Sequence, residues 1–335
     1  KDILKDLNFL FTNGHNIRNS SDLLEILFFT NRIMRFSTTS DFSNGRLDKK
    51  IKNFQNLICP LLKGLSFGNG LLVRSHESSG FSIYCELEKE LSDSDTTNFS
   101  IIKNPIGFIR IKTQNLTFFF DEKIEFKPQV TKEFMCSAFS FEMISGEIPF
   151  IQNNTSFSCY NGNSDEILFL KNQMNTLGIN IQDENSSETL FKSKIIEVKQ
   201  YRDLRNNYLE GEKEISFNEI SLSYKRKLQL SFTGKEILGQ ERISINQTSK
   251  KDYFYYLPFY FHPDVEIWQS DQSSNFLLKI KNNEIWRFEI DKKNAFLENY
   301  KFLDPLDLEI KNGKRIILFN NFDQKQKFFN WKLYL

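Results

Sequence analysis

The sequence predicts an α+β, multidomain chain in which a helical N-terminal region is followed by a large antiparallel β-sandwich. Three observations carry this. The 335 residues exceed what one core organises, since single cores stop growing near ~250–300 residues. Apolar residues recur at three- and four-residue spacing through roughly the first hundred positions. Beyond them the spacing drops to two, in short segments broken by turn residues. With 39% hydrophobic residues, 35 of them Phe, the chain can fill a sizeable core, which excludes disorder.

Taken in order, Lys1 to Leu10 reads as the tail of an earlier helix. Ser20-Ser21-Asp22 offers an N-cap to Leu23-Leu24-Glu25-Ile26-Leu27-Phe28-Phe29, which predicts a helix to Arg35. Ile51, Phe54, Leu57, Ile58 and Leu61 predict a second helix over Leu47–Leu62, with Pro60 in its last turn. Gly107–Lys112 and Leu116–Phe120 flank Thr113-Gln114-Asn115 and read as a hairpin. The segment 160–215 is polar and has no clear period. Ile220–Tyr224 and Leu228–Phe232 alternate strictly, the latter closing on Thr233-Gly234-Lys235. Tyr253 to Phe261 is an aromatic run whose strand spacing puts half its rings in the core. Phe276–Ile280 and Glu284–Ile290 flank Asn282-Asn283 as another hairpin, and Arg315–Phe319 is a late strand. The expected domains are residues 1–100 and 101–335.

Charge narrows the function. Forty-four Lys and Arg face 43 Asp and Glu. A protein that binds nucleic acid by bulk phosphate neutralisation carries a basic excess, so no nucleic-acid partner is expected. A local basic groove for an acidic ligand remains open. The 33 Asn against two Ala fit an AT-rich coding bias, so Asn-x-Ser/Thr triplets are not read as glycosylation sites. Cys59, Cys85, Cys136 and Cys159 form no C-x-x-C pair and no zinc spacing with His, and they read as free or buried thiols, with one bridge of unassigned partners as the alternative. No stretch approaches the ~18 apolar residues of a membrane span. The chain begins at Lys1, so an upstream segment is expected to be missing and a leader peptide cannot be read.

Six segments resemble the heparinase II/III-like polysaccharide lyases. Asn13-Gly14-His15-Asn16-Ile17-Arg18-Asn19-Ser20 is similar to the family's "DGGH" segment with its downstream Arg. Gly107-Phe108-Ile109-Arg110-Ile111 resembles "GYxRL", and Ala138-Phe139-Ser140-Phe141-Glu142 with Ser145-Gly146 resembles "LSFEFSxG". Tyr224 through Leu228 and Leu238 through Arg242 resemble "HxRxLxLSxDGxxLxGxDxL". Phe259 through Val265 resembles "RFHLHPxV", and Trp286-Arg287-Phe288-Glu289 with Ile316-Ile317-Leu318 resembles "WRFE…QIVL". Their order across the chain carries the resemblance. It implies that the N-terminal helices are part of an α/α toroid, that the sandwich is the family's C-terminal domain, and that the source is a bacterium, periplasmic or cytoplasmic.

The resemblance also implies a chemistry, the β-elimination of uronic-acid-containing glycans, with an acidic polysaccharide bound in a cleft between the domains. Donors must neutralise the uronate carboxylate before the C5 proton can leave, a base takes that proton, and an acid protonates the departing oxygen. On the matching motif His15 would neutralise or transfer a proton, and Arg18 or Asn19 would face the same groove. Read without the resemblance, His15 is a loop histidine and Arg18 a solvated first-turn charge. His76 and Tyr160 are expected to line the substrate groove, Tyr84 is a base by position only, and His262 reads as a corner of the sandwich.

Two family His positions fall in Phe134-Met135-Cys136-Ser137 and Gln173-Met174-Asn175-Thr176-Leu177, where Met stands in their place. The family Asp of "DGGH" is Thr12. Thioethers neither transfer protons nor bind hard cations, so no cofactor is expected and the family zinc has no recognisable ligands here. A catalytically degenerate relative that binds glycan, or serves as a structural module, is therefore the alternative reading.

Overall fold

The computed structural model describes residues 20–39, 45–74, 78, 80–82, 84–93, 105–123, 129–131, 133–135, 137–154, 173–181, 189–217, 220–245, 253–270, 274–291, 295–304, 309–321 and 326–335. Among them, residues up to Arg110 form one compact unit and those from Ile111 onward a second.

Among the described residues the first unit holds three α-helices, α1 (Ser20–Thr39), α2 (Gly45–Leu65) and α3 (Leu87–Asp93). In α1 the buried residues Leu23, Leu24, Leu27 and Asn31 recur at helical spacing, as Ile51, Phe54, Ile58, Leu62 and Leu65 do in α2. Helix α2 does not stop at Pro60 but runs one turn further. Leu62 and Leu65 are wholly buried, so the apolar face crosses the proline and its packing offsets the lost backbone bond. A buried polar chain ties the helices together. Gln55 donates to the Asn31 side-chain oxygen at 2.7 Å, and Asn31 donates to the Glu90 carboxylate at 2.7 Å and its backbone carbonyl at 2.9 Å.

Two antiparallel sheets, each nine-stranded among the described residues, make up the second unit, except that the strand Phe108–Lys112 spans the division after Arg110. The first holds β1 (Phe108–Lys112), β2 (Leu116–Asp121), β4 (Glu133–Met135), β5 (Phe141–Ser145), β6 (Ile148–Ile151), β7 (Gly178–Ile181), β12 (Tyr253–Phe261), β16 (Ala295–Leu303) and β17 (Ile310–Asn321). Its order is β1-β2-β5-β6-β12-β17-β16, with β7 and then β4 joined at β12. The second holds β3 (Gln129–Thr131), β8 (Thr189–Arg202), β9 (Asn206–Phe217), β10 (Ile220–Ser231), β11 (Glu236–Ile245), β13 (Glu266–Gln269), β14 (Asn275–Lys279), β15 (Ile285–Ile290) and β18 (Gln326–Tyr334). Its order is β13-β14-β15-β18-β11-β10-β9-β8-β3.

Aromatic rings from the two sheets meet between them. Trp331 of β18 stacks on Phe141 of β5 at 5.9 Å and takes Phe259 of β12 edge-on at 5.1 Å, and Phe288 of β15 meets Phe259 at 4.8 Å. Both predicted hairpins form. In the second, Asn283 adopts φ 64°, the left-handed geometry that Asn tolerates in tight turns.

Three features go beyond the local sequence pattern. The segments 220–224 and 228–231 belong to one twelve-residue strand, because Leu222, Tyr224, Arg226, Leu228 and Leu230 all point inward without a break, and Phe232 already lies in the turn. The stretch 160–215, which has no clear period in sequence, takes in β7, the long strand β8 and most of β9. Gly211 and Lys213 interrupt the inward row of β9, and most of β8 is exposed, so neither shows an apolar period. In β12 both faces are buried rather than half of the rings. Tyr255, Phe259 and Phe261 meet aromatic residues of the other sheet, while Tyr256 packs with Met174 and Ile317, and Tyr260 with Tyr300 and Phe302.

Candidate functional site

The predicted site residues His15, Arg18, Asn19, His76 and Tyr160 lie outside the described residues. The described neighbours of two of these segments are joined. Ser20, which follows Asn19 directly, bonds the Ser78 hydroxyl at 2.6 Å and donates to the Val73 carbonyl at 2.8 Å. Ser21 bonds the same Ser78 hydroxyl through both its backbone N–H and its side chain. The start of α1 is thus tied to a position two residues beyond His76. Tyr84 is 60% exposed. His262 caps a turn: its Nδ1 accepts from the Asp264 N–H at 3.2 Å, its carbonyl accepts from the Val265 N–H, and its ring meets Phe302 edge-on.

Three of the family-like segments converge on one buried constellation in the second unit. Arg226 of β10 stands opposite Glu241 of β11 in the strand register. Its Nε donates to both carboxylate oxygens, at 2.9 and 3.0 Å, and its Nη1 donates to the carbonyls of Phe139 and Asn175 at 2.6 Å each. Tyr224 and Trp331 complete the carboxylate's shell, donating to it at 2.7 and 2.9 Å. Beside this pair Lys213 of β9 donates to the Ala138 carbonyl at 2.8 Å, with its ammonium over the Phe139 and Tyr224 rings. Asn175 donates to the Phe141 carbonyl and accepts from the Tyr260 N–H, and Thr176 donates to the Ala138 carbonyl.

The anchored turn is strained. Phe139 holds φ 68°, a left-handed conformation that bulky residues avoid at about 1–3 kcal/mol. It persists because Arg226 holds its carbonyl, its N–H donates to the Asp121 carbonyl, and its ring stacks on Phe120 at 5.6 Å. Burial pulls the Arg226 pKa down, but Glu241 and Tyr224 more than offset it, and the net shift is upward. Burial drives the Tyr224 pKa well above its usual range, with Arg226 opposing and Glu241 reinforcing. Tyr224 therefore keeps its proton at neutral pH. Arg226, Glu241 and Lys213 are at most 1% exposed, so no substrate reaches them. Their chemistry is positional, stitching the turns before β5 and β7 to the facing sheet.

The fit to a metal can be judged at Met174. It is 6% exposed and packs with Tyr256, Ile317 and Phe319. A single thioether among these apolar side chains offers a zinc ion no hard or anionic donor at this position. Arg226 and Glu241 lie within a family-like segment that by itself gives them no role, and Lys213 lies outside every such segment. The available signal was parity: in a strictly alternating strand, Arg226 shares the inward row with Leu222, Tyr224 and Leu228.

Residues 105–332 match the heparinase II/III-like C-terminal domain. The chain belongs to the heparinase II/III-like family. Solved structures agree on the fold. A heparinase III superposes with a TM-score of 0.65 at 10% identity, covering 99% of this chain and 54% of that one. The heparan sulfate lyase HepC from Pedobacter heparinus gives 0.64 at 10% identity, covering 99% and 55%. The chain thus spans about half the length of these heparinases. No significant match is found among curated protein sequences. Among the described residues no helix is long and apolar enough to cross a membrane.

Proposed function

We propose that this chain belongs to a polysaccharide lyase that cleaves uronic-acid-containing glycans by β-elimination. The observation that supports this reading is the family match across 105–332. In this reading the helices before residue 101 are part of the family's α/α toroid, and an acidic polysaccharide is the substrate. Arg18 pairs with the uronate carboxylate and Asn19 adds a donor, which lowers the cost of the developing enolate. His15 neutralises the same charge or moves the proton, and His76 and Tyr160 line the bound chain.

A second reading, a relative that binds glycan without cleaving it, is favoured by one observation. Met174 stands at a family His position and is committed to an apolar cluster. One experiment separates the two. The full-length protein is incubated with uronic-acid polysaccharides while the far-UV absorbance of the 4,5-unsaturated product is followed. Product from one of them, slowed in His15→Ala with folding intact, supports the lyase. Glycan binding with no product on any of them refutes it.

A further inference from the structure

The outer face of the second sheet carries a groove of about 580 Å³ running across β8, β9, β10, β11 and β18. The strand register arranges its lining in two rows. One runs Glu197, Glu212, Lys225, Arg242, Phe328, and the other Lys199, Glu210, Lys227, Gln240, Asn330. Four inter-strand steps of about 4.8 Å make it roughly 19 Å long, the reach of a short oligomer rather than a single small molecule.

The hollow has a cause in the sequence. Gly211 points inward beneath it, between the two rows, and Gly239 points inward just beyond the Gln240 row. A Cβ on Gly211 would lie 2.7 Å from the Phe139 ring, and one on Gly239 would lie 1.9 Å from the Trp331 ring. Only glycine lets the strands close onto those rings, which leaves no side chain at Gly211 to fill the space between the rows. At the rim the register of β8 shifts between Ile195 and Glu197, an irregularity that re-aims the side chains that follow. The alternate residues Lys213, Arg226, Glu241 and Trp331 of the same strands point inward and are buried.

The lining chemistry selects a ligand class. Lys225 pairs with Glu212 at 2.7 Å, Lys227 with Glu210 at 2.8 Å, and Lys199 with Glu197 at 2.8 Å. These pairs leave little net field to hold a polyanion, whose charges would meet three carboxylates. Close carboxylate–ammonium pairs instead offer an acceptor and a donor within one hydroxyl's reach. The carboxamides of Gln240 and Asn330 also offer both. Lys227 and Lys225 hold the Glu210 and Glu212 carboxyls below their ordinary range, which keeps both as acceptors. At one end Phe328 is 52% exposed, with the Arg242 guanidinium 5.3 Å from its centroid, a flat apolar platform for the C–H face of a sugar ring.

We propose that this groove binds a neutral oligosaccharide. The proposal does not depend on the lyase reading, since no residue of the groove was assigned there. The test is calorimetric titration of the full-length protein with six probes: cello-, xylo-, manno-, galacto- and malto-hexaose, and a chondroitin hexasaccharide as the acidic comparison. At least one neutral hexaose is expected to saturate, with little dependence on salt. Phe328→Ala and the double variant Gln240→Ala/Asn330→Ala should each weaken it by about tenfold or more with unchanged unfolding curves. Phe296→Ala, which removes an exposed ring on the first sheet, should bind as the parent does. Saturation by no neutral probe overturns the proposal. So does a neutral probe whose affinity ignores both groove variants, or binding of the acidic probe alone that salt abolishes.

Discussion

Replacing Arg226 with Met tests whether the buried constellation holds the sandwich together. The substitution keeps an apolar stem but removes both bonds to Glu241 and those to the Phe139 and Asn175 carbonyls. Glu241 is then left in the core with only the Tyr224 and Trp331 donors. Stranding one partner of a buried pair costs about 3–5 kcal/mol. Two buried carbonyls that lose a donor add about 1 kcal/mol each at the low end. The strained Phe139 turn also loses an anchor. A loss of at least about 4 kcal/mol is expected, a large share of the 5–15 kcal/mol that ordinarily separates folded from unfolded chains, in order-of-magnitude terms. Urea unfolding followed by tryptophan fluorescence reads it directly, since Trp331 and Trp286 are both buried. The double variant Arg226→Met/Glu241→Leu should recover a substantial part, because it no longer buries an uncompensated carboxylate. A single-variant loss below about 1 kcal/mol, or a double variant no better than the summed singles, would refute the account.

Other consequences follow from the same packing. Gly239→Ala should destabilise by about 2 kcal/mol or more in urea, because its new methyl meets a Trp331 ring that Glu241 and Phe141 already hold in place. A strong chelator should leave the thermal midpoint unmoved, since Met174 contributes packing and not ligation, and a fall of several degrees would contradict that. Burial pushes the Cys85 thiol from 9.0 up to about 11, so its alkylation by iodoacetamide at mildly alkaline pH should run about a hundredfold slower than that of a free thiol. The depressed Glu210 and Glu212 carboxyls contribute stability above the ordinary carboxylate range, and that contribution is lost as pH falls through their lowered values. Lys227→Met with Lys225→Met should flatten this acid limb in urea titrations run at successive pH values.

Local pattern made much of the fold legible. The Thr113–Asn115 and Asn282-Asn283 turns, the α1 and α2 faces and the strict alternation in β10 each depend on neighbours a few positions away. The sequence by itself therefore determined helices followed by an antiparallel sandwich, and the motif order was enough to suggest the family. It could not show that β9 is a core strand, because Gly211 and Lys213 break its apolar row. Each makes sense only against a distant partner, the Phe139 ring for Gly211 and the Ala138 carbonyl for Lys213. Nor could it show that Arg226 and Glu241 turn inward to lock two loops while Lys225 and Lys227 turn outward to line a groove. Those roles were decided by tertiary structure. A charge can be buried only where donors and acceptors from remote segments converge on it, and a glycine in a strand is explained only by the ring that occupies the space its side chain would fill.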